Sequence, residues 1–331
     1  MKYIIAMDVN GNDHGVESAV LAAVDFLKHN DHFYIKMVGN EQEIRKFLDP
    51  NQKNIEIINN EIVGKLGDNP RSALSENSSL KVAIDLVKNN EADSIISCGD
   101  SGLYLTLSTF ILKRLPGISR PAFMPIMPNI NRGHFLLLDV GANLQTKAEY
   151  LHEWAILASE AAKAFFDKGQ VSVKLLNIGT EDYKGLEITK EAHQIMRGDT
   201  KINYQGFIEP RDLLLNTADV VVCDGYAGNI ALKTAEGAIL NFKNLIKKNI
   251  MASWTRKIGY LFLRNAFKDV AESFDYRNVG AAWILGVNHL ALKCHGSSDK
   301  KSYLGALNQM KLGLEKDVLT KMKRAIDEYD N

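Results

Sequence analysis

The stretch Asp219–Gly237, DVVVCDGYAGNIALKTAEG, decides the fold. Val220–Cys223 is a short apolar run of the kind that makes a buried strand, and it stops at Asp224-Gly225. Gly228-Asn229 then opens a helical pattern, with Lys233 just over one turn in. A strand that ends on glycine and polar residues and passes straight into a helix is the repeating unit of a parallel sheet.

The same unit recurs outward along the chain. Strands are expected at Tyr3–Val9, Phe33–Val38, Ser94–Cys98, Pro121–Pro128, Phe135–Val140, Val171–Ile178 and Asn203–Gly206. Helical spacing marks Val16–Lys28, Glu41–Leu48, Ser79–Lys88, Tyr104–Lys113, Ala148–Phe166, Glu187–Met196 and about Lys300 to Glu328. Ala281–Leu292 is apolar but too short to span a bilayer and reads as buried strand, and Asn59–Asn77 is the most loop-like stretch. Such alternation argues for a mostly parallel sheet with helices on both faces. No repeat or low-complexity linker marks a boundary, so residues 1–331 are taken as one domain.

Composition narrows the class. Hydrophobic residues make up 46% and charged residues 24% of the 331, ordinary for a globular protein. Forty basic and forty acidic side chains cancel, so net charge points to no nucleic acid and any functional charge is local. Three cysteines without CxxC spacing fit a reduced, cytosolic protein. The apolar start is too short for a signal peptide, and no apolar run reaches the roughly 18–20 residues of a membrane span.

In sheets of this kind ligands bind beyond the carboxyl ends of the strands. Six expected strand ends carry glycine with small polar residues: Met7–Gly15, Ser97–Gly102, Asp139–Asn143, Asn177–Asp182, Cys223–Asn229 and Lys293–Asp299. One glycine after a strand is usually only a turn. Six together, expected along one edge of the sheet, suggest a cradle for an anion, with backbone N–H groups and helix N-termini as donors. Lys233 and Lys184 are the candidate cations, and His14 and His295 sit in two of the loops. Asp100, Asp139, Asp182 and Asp224 lie in the same loops, either as helix caps and loop organisers or as holders of a divalent metal. GxxxxGK[ST], GxGxxG after the first strand and GxSxG are all missing, against a P-loop NTPase, a nicotinamide enzyme and a serine hydrolase. If phosphate itself attacks, no protein nucleophile is needed.

A second feature is Gly237–Lys268, which has no Asp or Glu but seven basic residues: Lys243, Lys247, Lys248, Arg256, Lys257, Arg264 and Lys268. Ile250, Trp254, Ile258, Leu261 and Phe262 fall at helical spacing, with Ser253 and Gly259 at an expected tip. A basic amphipathic helical hairpin suits an anionic bilayer surface or an acidic partner, and equally its stripe could pack on the core or in a dimer.

Several long motifs then resemble one family, the bacterial acyl-acyl carrier protein:phosphate acyltransferases called PlsX. They are FLLLDVGAN (Phe135–Asn143), LLNIGTEDYKG (Leu175–Gly185), the segment Ile202–Gly237, and FDYRNVGAAWILGV with HGSSD between Phe274 and Asp299. The likeness runs from the first strand to about Met310. It implies a three-layer α/β/α fold similar to isocitrate and isopropylmalate dehydrogenases and phosphate acetyltransferases, and a homodimer. The implied reaction moves a long-chain acyl group from acyl carrier protein to inorganic phosphate, without a cofactor or metal. A membrane glycerol-3-phosphate acyltransferase would use the acyl phosphate. Members resemble peripheral membrane proteins, which would give Lys247, Lys248, Trp254, Arg256, Lys257, Ile258, Leu261, Phe262 and Arg264 membrane or carrier contacts.

By the same resemblance, phosphate would lie against Asn10, Gly11, Asp13, Ser97, Gly99, Asp100, Ser101, Gly102, Asp224, Gly225 and Gly228, with Thr180, His295 and Ser297 nearby. Lys184 and Lys233 would neutralise charge, Asn229 or Asn143 would stabilise the oxyanion, and His14 would orient phosphate or protonate the leaving thiolate. The chain departs from the family in places. Asp8-Val9-Asn10-Gly11-Asn12-Asp13-His14 stands where D-A-M-G-G-D-H is usual, and Asp100 replaces an Asn, adding negative charge beside the expected anion. Leu74-Ser75-Glu76-Asn77 replaces a basic stretch. Two alternatives remain: a phosphotransacylase using acyl-CoA, and a catalytically silent scaffold that binds membrane and partners through the hairpin.

Overall fold

A computed structural model describes residues 2–67 and 70–330. The first half contains β1 (Tyr3–Asp8), α1 (Glu17–Leu27), β2 (Phe33–Gly39), α2 (Glu41–Arg45), β3 (Ile55–Asn59), α3 (Pro70–Ser75), α4 (Ser79–Lys88), β4 (Ser94–Ser97) and α5 (Ser101–Leu107). Then come β5 (Ala122–Pro128), β6 (His134–Leu138), α6 (Ala148–Phe166), β7 (Ser172–Leu176), α7 (Glu187–Gly198), β8 (Asn203–Ile208) and β9 (Val220–Val222). The chain closes with α8 (Gly225–Met251), α9 (Trp254–Ser273), β10 (Ala281–Leu285), β11 (Leu290–Cys294), α10 (Lys300–Glu315) and α11 (Val318–Asp330).

All eleven strands form one sheet in the order β3-β2-β1-β4-β11-β10-β5-β6-β9-β7-β8. Central strands bury both faces, as a covered parallel sheet requires. Ile5 and Met7 of β1 enter the core under α1, α6 and α10, which includes Phe26, Trp154 and Tyr303. Ala6 between them enters the opposite core, with Leu80, Ile84 and Tyr104 of α4 and α5. The expected layering of helix, sheet and helix is what is found.

Strand direction departs from expectation. β3, β2, β1, β4 and β11 run parallel, and so do β6, β9, β7 and β8. Between the two blocks the β11–β10, β10–β5 and β5–β6 pairs are all antiparallel. The blocks therefore point in opposite directions. The loops after β1, β4 and β11 leave one edge of the sheet, and those after β6, β7 and β9 leave the other, so the six do not share an edge.

Other boundaries also move. Ala281–Leu292 is two antiparallel strands that reverse through Gly286 at φ +89°. The last helix is two, broken at Lys316-Asp317, where Asp317 takes φ +50°. β3 ends at Asn59, where the loop-like stretch begins, and that stretch is not all loop, since Pro70–Ser75 is helical; of it, Asp68 and Asn69 lie outside the described residues. The hairpin is longer than the basic segment: α8 starts at Gly225, the turn is Ala252-Ser253, and Gly259 lies inside α9 rather than at the tip.

Candidate functional site

A cleft of about 1250 Å³ lies between the sheet and the α8–α9 hairpin. Its floor is the face of the central antiparallel strands. Lys293 of β11 pairs with Ala282 of β10, which pairs with Pro125 of β5, and all three line the cleft. Residues paired across a sheet share a face, so Lys293 is aimed at the cleft by register. The opposed blocks close on this floor because the central strands are short. Leu136 of β6 pairs with Ile126, so the end of β6 at Leu138 is almost level with Lys293. Ser101, His295 and Ser297 line one side, and Gly141, Asn229 and Lys233 the other.

The loops after β1, β4 and β11 are tied together. Asp13 donates its N–H to the Gly296 carbonyl at 2.9 Å, and Asn12 donates to the Ser298 carbonyl at 2.9 Å and Tyr303 Oη at 3.1 Å. Asn10 spends its amide on the Asn60 carbonyl at 2.8 Å. Beneath them Asp8 is 1% exposed, and burial raises its carboxyl to about 6 against hydrogen bonds from Ser97 Oγ, at 2.5 Å, and Ser79. Ser97 Oγ in turn accepts the Gly99 N–H at 2.9 Å. Gly11 packs on Gly99, and Gly102 packs on Leu66.

On the other side the carboxylates organise backbone. Asp139 is fully buried and accepts from the N–H groups of Phe123, Gly141, Ala142 and Asn143 at 2.8–3.1 Å. The Asn143 amide donates to the Pro121 carbonyl at 2.8 Å and to Asp139 at 3.0 Å, so it is already engaged. Asp224 caps α8, accepting from Tyr226 at 3.0 Å and Ala227 at 2.9 Å. Asp100 caps α5, accepting from Leu103 at 2.7 Å. An Asn here would cap equally well, so the added charge is spent on a helix N-terminus. Gly225 and Gly228 serve helix packing: a Cβ at either would sit 2.3 Å from the Asn143 carbonyl oxygen or 1.9 Å from that of Asp139. Among the described residues no group of three or more His, Cys, Asp or Glu side chains is placed to hold a metal ion.

Three carboxylates also line the cleft, Glu236 at 3.6 Å from Lys233 and Asp275 and Asp299 each paired with Arg277; the remaining polar lining is basic or neutral. The Lys293 ammonium donates to the Cys98 carbonyl at 3.4 Å and to that of Cys294. Burial pulls it below the ordinary lysine value, opposed by nearby thiols and carboxylates. Burial pushes the Cys98 thiol up to about 11 and Cys294 higher, so both are neutral near pH 7, and Asp100 and Asp8 are the carboxyl groups near Lys293. His295 Nδ1 lies 2.8 Å from Ser297 Oγ. Burial, then Lys233 and Lys293, lower its basicity. Lys233 is half exposed and only 3.6 Å from Glu236. The Asn229 amide has no hydrogen-bond partner among the described residues and lies against Gly141.

Of the expected catalytic and phosphate-binding residues only Ser101, Asn229, Lys233, His295 and Ser297 line the cleft; the others lie in the loops behind it or away from it. Asn177 Nδ2 holds its own loop closed on the Gly179 and Lys184 carbonyls at 3.1 and 3.0 Å. Lys184 is paired with Glu181 at 2.7 Å, and neither it nor Thr180 lines the cleft. His14 is exposed on its loop and does not line it either. Lys293 was missed by sequence reasoning, although a lysine inside the run Leu290–Cys294 is the signal: a charge is buried in a strand only with a purpose.

The hairpin divides into two faces. Ile239, Lys243, Ile246, Lys247 and Ile250 of α8 line the cleft, as do Tyr260, Phe267 and Ala271 of α9. Lys247 thus faces inward. Trp254, Ile258, Leu261 and Phe262 face solvent, Trp254 at 72% and Phe262 at 85% exposed.

Residues 3–321 match the family described as fatty acid synthesis protein. The chain is 54% identical over 329 residues to the phosphate acyltransferase of Mycoplasmopsis agalactiae, covering 98% of each. It is 35% identical to that of Geobacillus sp. (strain WCH70), again covering 98% of each. In fold it is similar to a phosphotransacetylase from Streptococcus pyogenes, with a TM-score of 0.61 at 18% identity over 98% of this chain and 94% of that one. With a cleft of basic floor and a family match over nearly its whole length, this chain belongs to the fatty acid synthesis protein family, that of the phosphate acyltransferases, and is an acyltransferase.

Proposed function

We propose that the protein transfers a long-chain acyl group from acyl carrier protein to inorganic phosphate, forming acyl phosphate for phospholipid synthesis. The observation that carries this is the convergence of Lys293 on the floor and His295 and Lys233 on the two sides of one cleft, in a chain without net charge. Phosphate sits between these groups, with Ser101, Ser297 and Asn229 as neutral donors. A phosphate oxygen attacks the thioester carbonyl carbon. The new C–O bond forms, the C–S bond breaks, and the carrier leaves as a thiolate that takes a proton from solvent. Lys293 and Lys233 hold the charge on phosphate, and the His295 Nε2–H and Asn229 amide stabilise the oxyanion. Asn10, Gly11, Asp13, Ser97, Gly99, Gly102, Asp100, Asn143, Asp224, Gly225 and Gly228 shape the loops around them.

The chain works as one domain, because a single sheet carries both walls of the cleft. No helix among the described residues is long and apolar enough to cross a membrane. The exposed Trp254, Ile258, Leu261 and Phe262, with Lys248, Arg256, Lys257 and Arg264, support peripheral attachment to an anionic membrane from the cytoplasm. There a membrane glycerol-3-phosphate acyltransferase would receive the product. Exposed Leu144, Ile178, Tyr183 and Leu186 outside the cleft suit a homodimer contact.

The test is phosphate-dependent turnover of palmitoyl-acyl carrier protein, trapping acyl phosphate with hydroxylamine, with palmitoyl-CoA in parallel. Acyl phosphate from the carrier-protein donor alone supports the reading. Preference for the CoA donor moves it to a phosphotransacylase, and no product from either points to a scaffold.

A further inference from the structure

Asp8 takes no part in the acyl transfer itself, but sheet register gives it a neighbour that does. Asp8 of β1 pairs with Ser97 of β4, and Ser97 pairs with Lys293 of β11. Residues paired across a sheet share a face, so carboxyl, hydroxyl and ammonium stand in one row on three adjacent strands. Ser97 Oγ donates to Asp8 Oδ2 at 2.5 Å, and Oδ1 accepts the Asn10 N–H at 3.3 Å. Two members of the row hold one turn: Ser97 Oγ accepts the Gly99 N–H at 2.9 Å, and Lys293 Nζ donates to the Cys98 carbonyl at 3.4 Å. We infer that Asp8 is the counter-charge of Lys293: a positioning residue, set one hydroxyl away, that keeps the floor ammonium charged while leaving its N–H groups to phosphate.

Other lysines of the chain are paired directly. Lys184 lies 2.7 Å from Glu181, and Lys81 lies 2.6 Å from Asp85. Lys293 donates only to the carbonyls of Cys98 and Cys294 and makes no ion pair among the described residues. A touching carboxylate would occupy the ammonium, and phosphate would have to displace it. With no negative charge near it, a buried ammonium tends to give up its proton. A carboxylate two strands away, about 10 Å at the usual strand spacing, avoids both outcomes. The other groups around Lys293 do not replace it. Cys98 and Cys294 are neutral, and His295 and Lys233 add no negative charge. Asp100 is exposed, so water screens it, and its carboxylate caps α5. From α4 and α5 the groups facing Asp8 are Ser79 and the buried Tyr104 phenol, both neutral. Asp8 is 1% exposed, and its carboxyl, raised to about 6, is ionised wherever a lysine titrates.

The use of Lys293 for phosphate rests on the acyl-transfer reading above; the pairing of the two charges does not, so each is measured separately. First, kcat/KM for phosphate is followed from about pH 8 to 10, above the ionisation of phosphate, in the unaltered chain, Asp8→Asn and Asp100→Asn. Asn keeps an acceptor for Ser97, so the turn stays and only the charge goes. Asp8→Asn is expected to move the alkaline limb down by about one pH unit, the size of a charge pair about 10 Å apart in protein. Asp100→Asn is expected to move it less. An unmoved limb in Asp8→Asn, or an equal shift in Asp100→Asn, overturns the role of Asp8. Second, two charges act on each other equally, so removing Lys293 must raise the carboxyl of Asp8 by the same shift. Urea unfolding of Lys293→Met at several pH values is expected to show stability still falling to about pH 7 rather than 6, and Asp8→Asn in the same background to abolish that fall. Lys293→Gln serves if Lys293→Met does not fold. A fall that ends at the same pH with and without Lys293 overturns the pair. If the unaltered chain turns over no donor, the transfer reading fails and the unfolding series still decides the pair.

Discussion

The backbone N–H of Ser297 donates to Nδ1 of His295 at 3.2 Å. A nitrogen that accepts carries no proton, so the neutral ring is the Nε2–H tautomer, a donor toward the cleft. Burial together with Lys233 and Lys293 holds its pKa below the ordinary 6.5. The ring is therefore mostly neutral above pH 6.5, and loss of turnover from its protonation falls on the acid side of that pH. Between pH 6.5 and about 8 the kcat/KM profile for phosphate is expected to follow the ionisation of phosphate itself, with the same shape in His295→Gln. His295→Gln, which keeps a donor, retains more activity than His295→Ala, which loses about 10²-fold. Equal losses in the two would remove the donor role.

Lys293 and Lys184 make a direct contrast. Lys293→Met takes the cation from the floor and is expected to lower kcat/KM for phosphate by about 10²–10³-fold, with the thermal midpoint kept. Lys184→Met breaks only the exposed pair with Glu181 and is expected to change kcat/KM by less than about three-fold. Phosphate saturation curves for both variants decide it; a larger effect at Lys184 would move the anion site to the loop after β7.

Asp8 gives a stability signature. Its carboxyl is at about 6 in the folded protein against 3.8 for the free group. Between those values the folded state holds more protons than the unfolded one, so stability falls as pH rises from about 4 to 6. Above pH 6 the full penalty of a buried carboxylate, on the order of 3 kcal/mol, is present. Asp8→Asn is expected to flatten this slope and to be at least as stable as the unaltered chain at pH 7. Urea unfolding at several pH values measures both, and an unchanged slope would contradict the assignment.

The outer face of the hairpin is expected to act independently of the chemistry. Trp254→Ser with Phe262→Ser removes two exposed apolar anchors and leaves the lining of the cleft intact. Sedimentation with phosphatidylglycerol vesicles should show binding reduced about ten-fold or more, while turnover of acyl carrier protein substrate without vesicles stays within about two-fold. Unaltered vesicle binding would return this face to a protein contact.

The sequence alone determined the layered α/β architecture, because alternation and helical spacing are local patterns. α6 lies at Ala148–Phe166 as its spacing required, and the strands before each glycine loop are where the apolar runs placed them. Asp100 and Asp224 were legible as caps, since a cap is a contact over three residues, whereas Asp139 organises its own loop and Asp182 pairs with Arg197. Family membership was legible too, because the motifs survive in order. Strand direction was not. Whether β6 runs with or against β11 depends on the β10–β5 pairing, which joins segments about 160 residues apart (Ala282 with Pro125), and no local pattern encodes it.

Tertiary structure therefore decided that the six loops split between two edges and that only some of them meet. It decided that Lys293 shares a cross-strand row with Ala282 and Pro125 and so faces the cleft, while Lys184 stays on its own loop with Glu181. It also decided which hairpin residues look inward. A helical stripe records that a face is apolar, but what covers that face is settled only where α8 lies over β5 and β10.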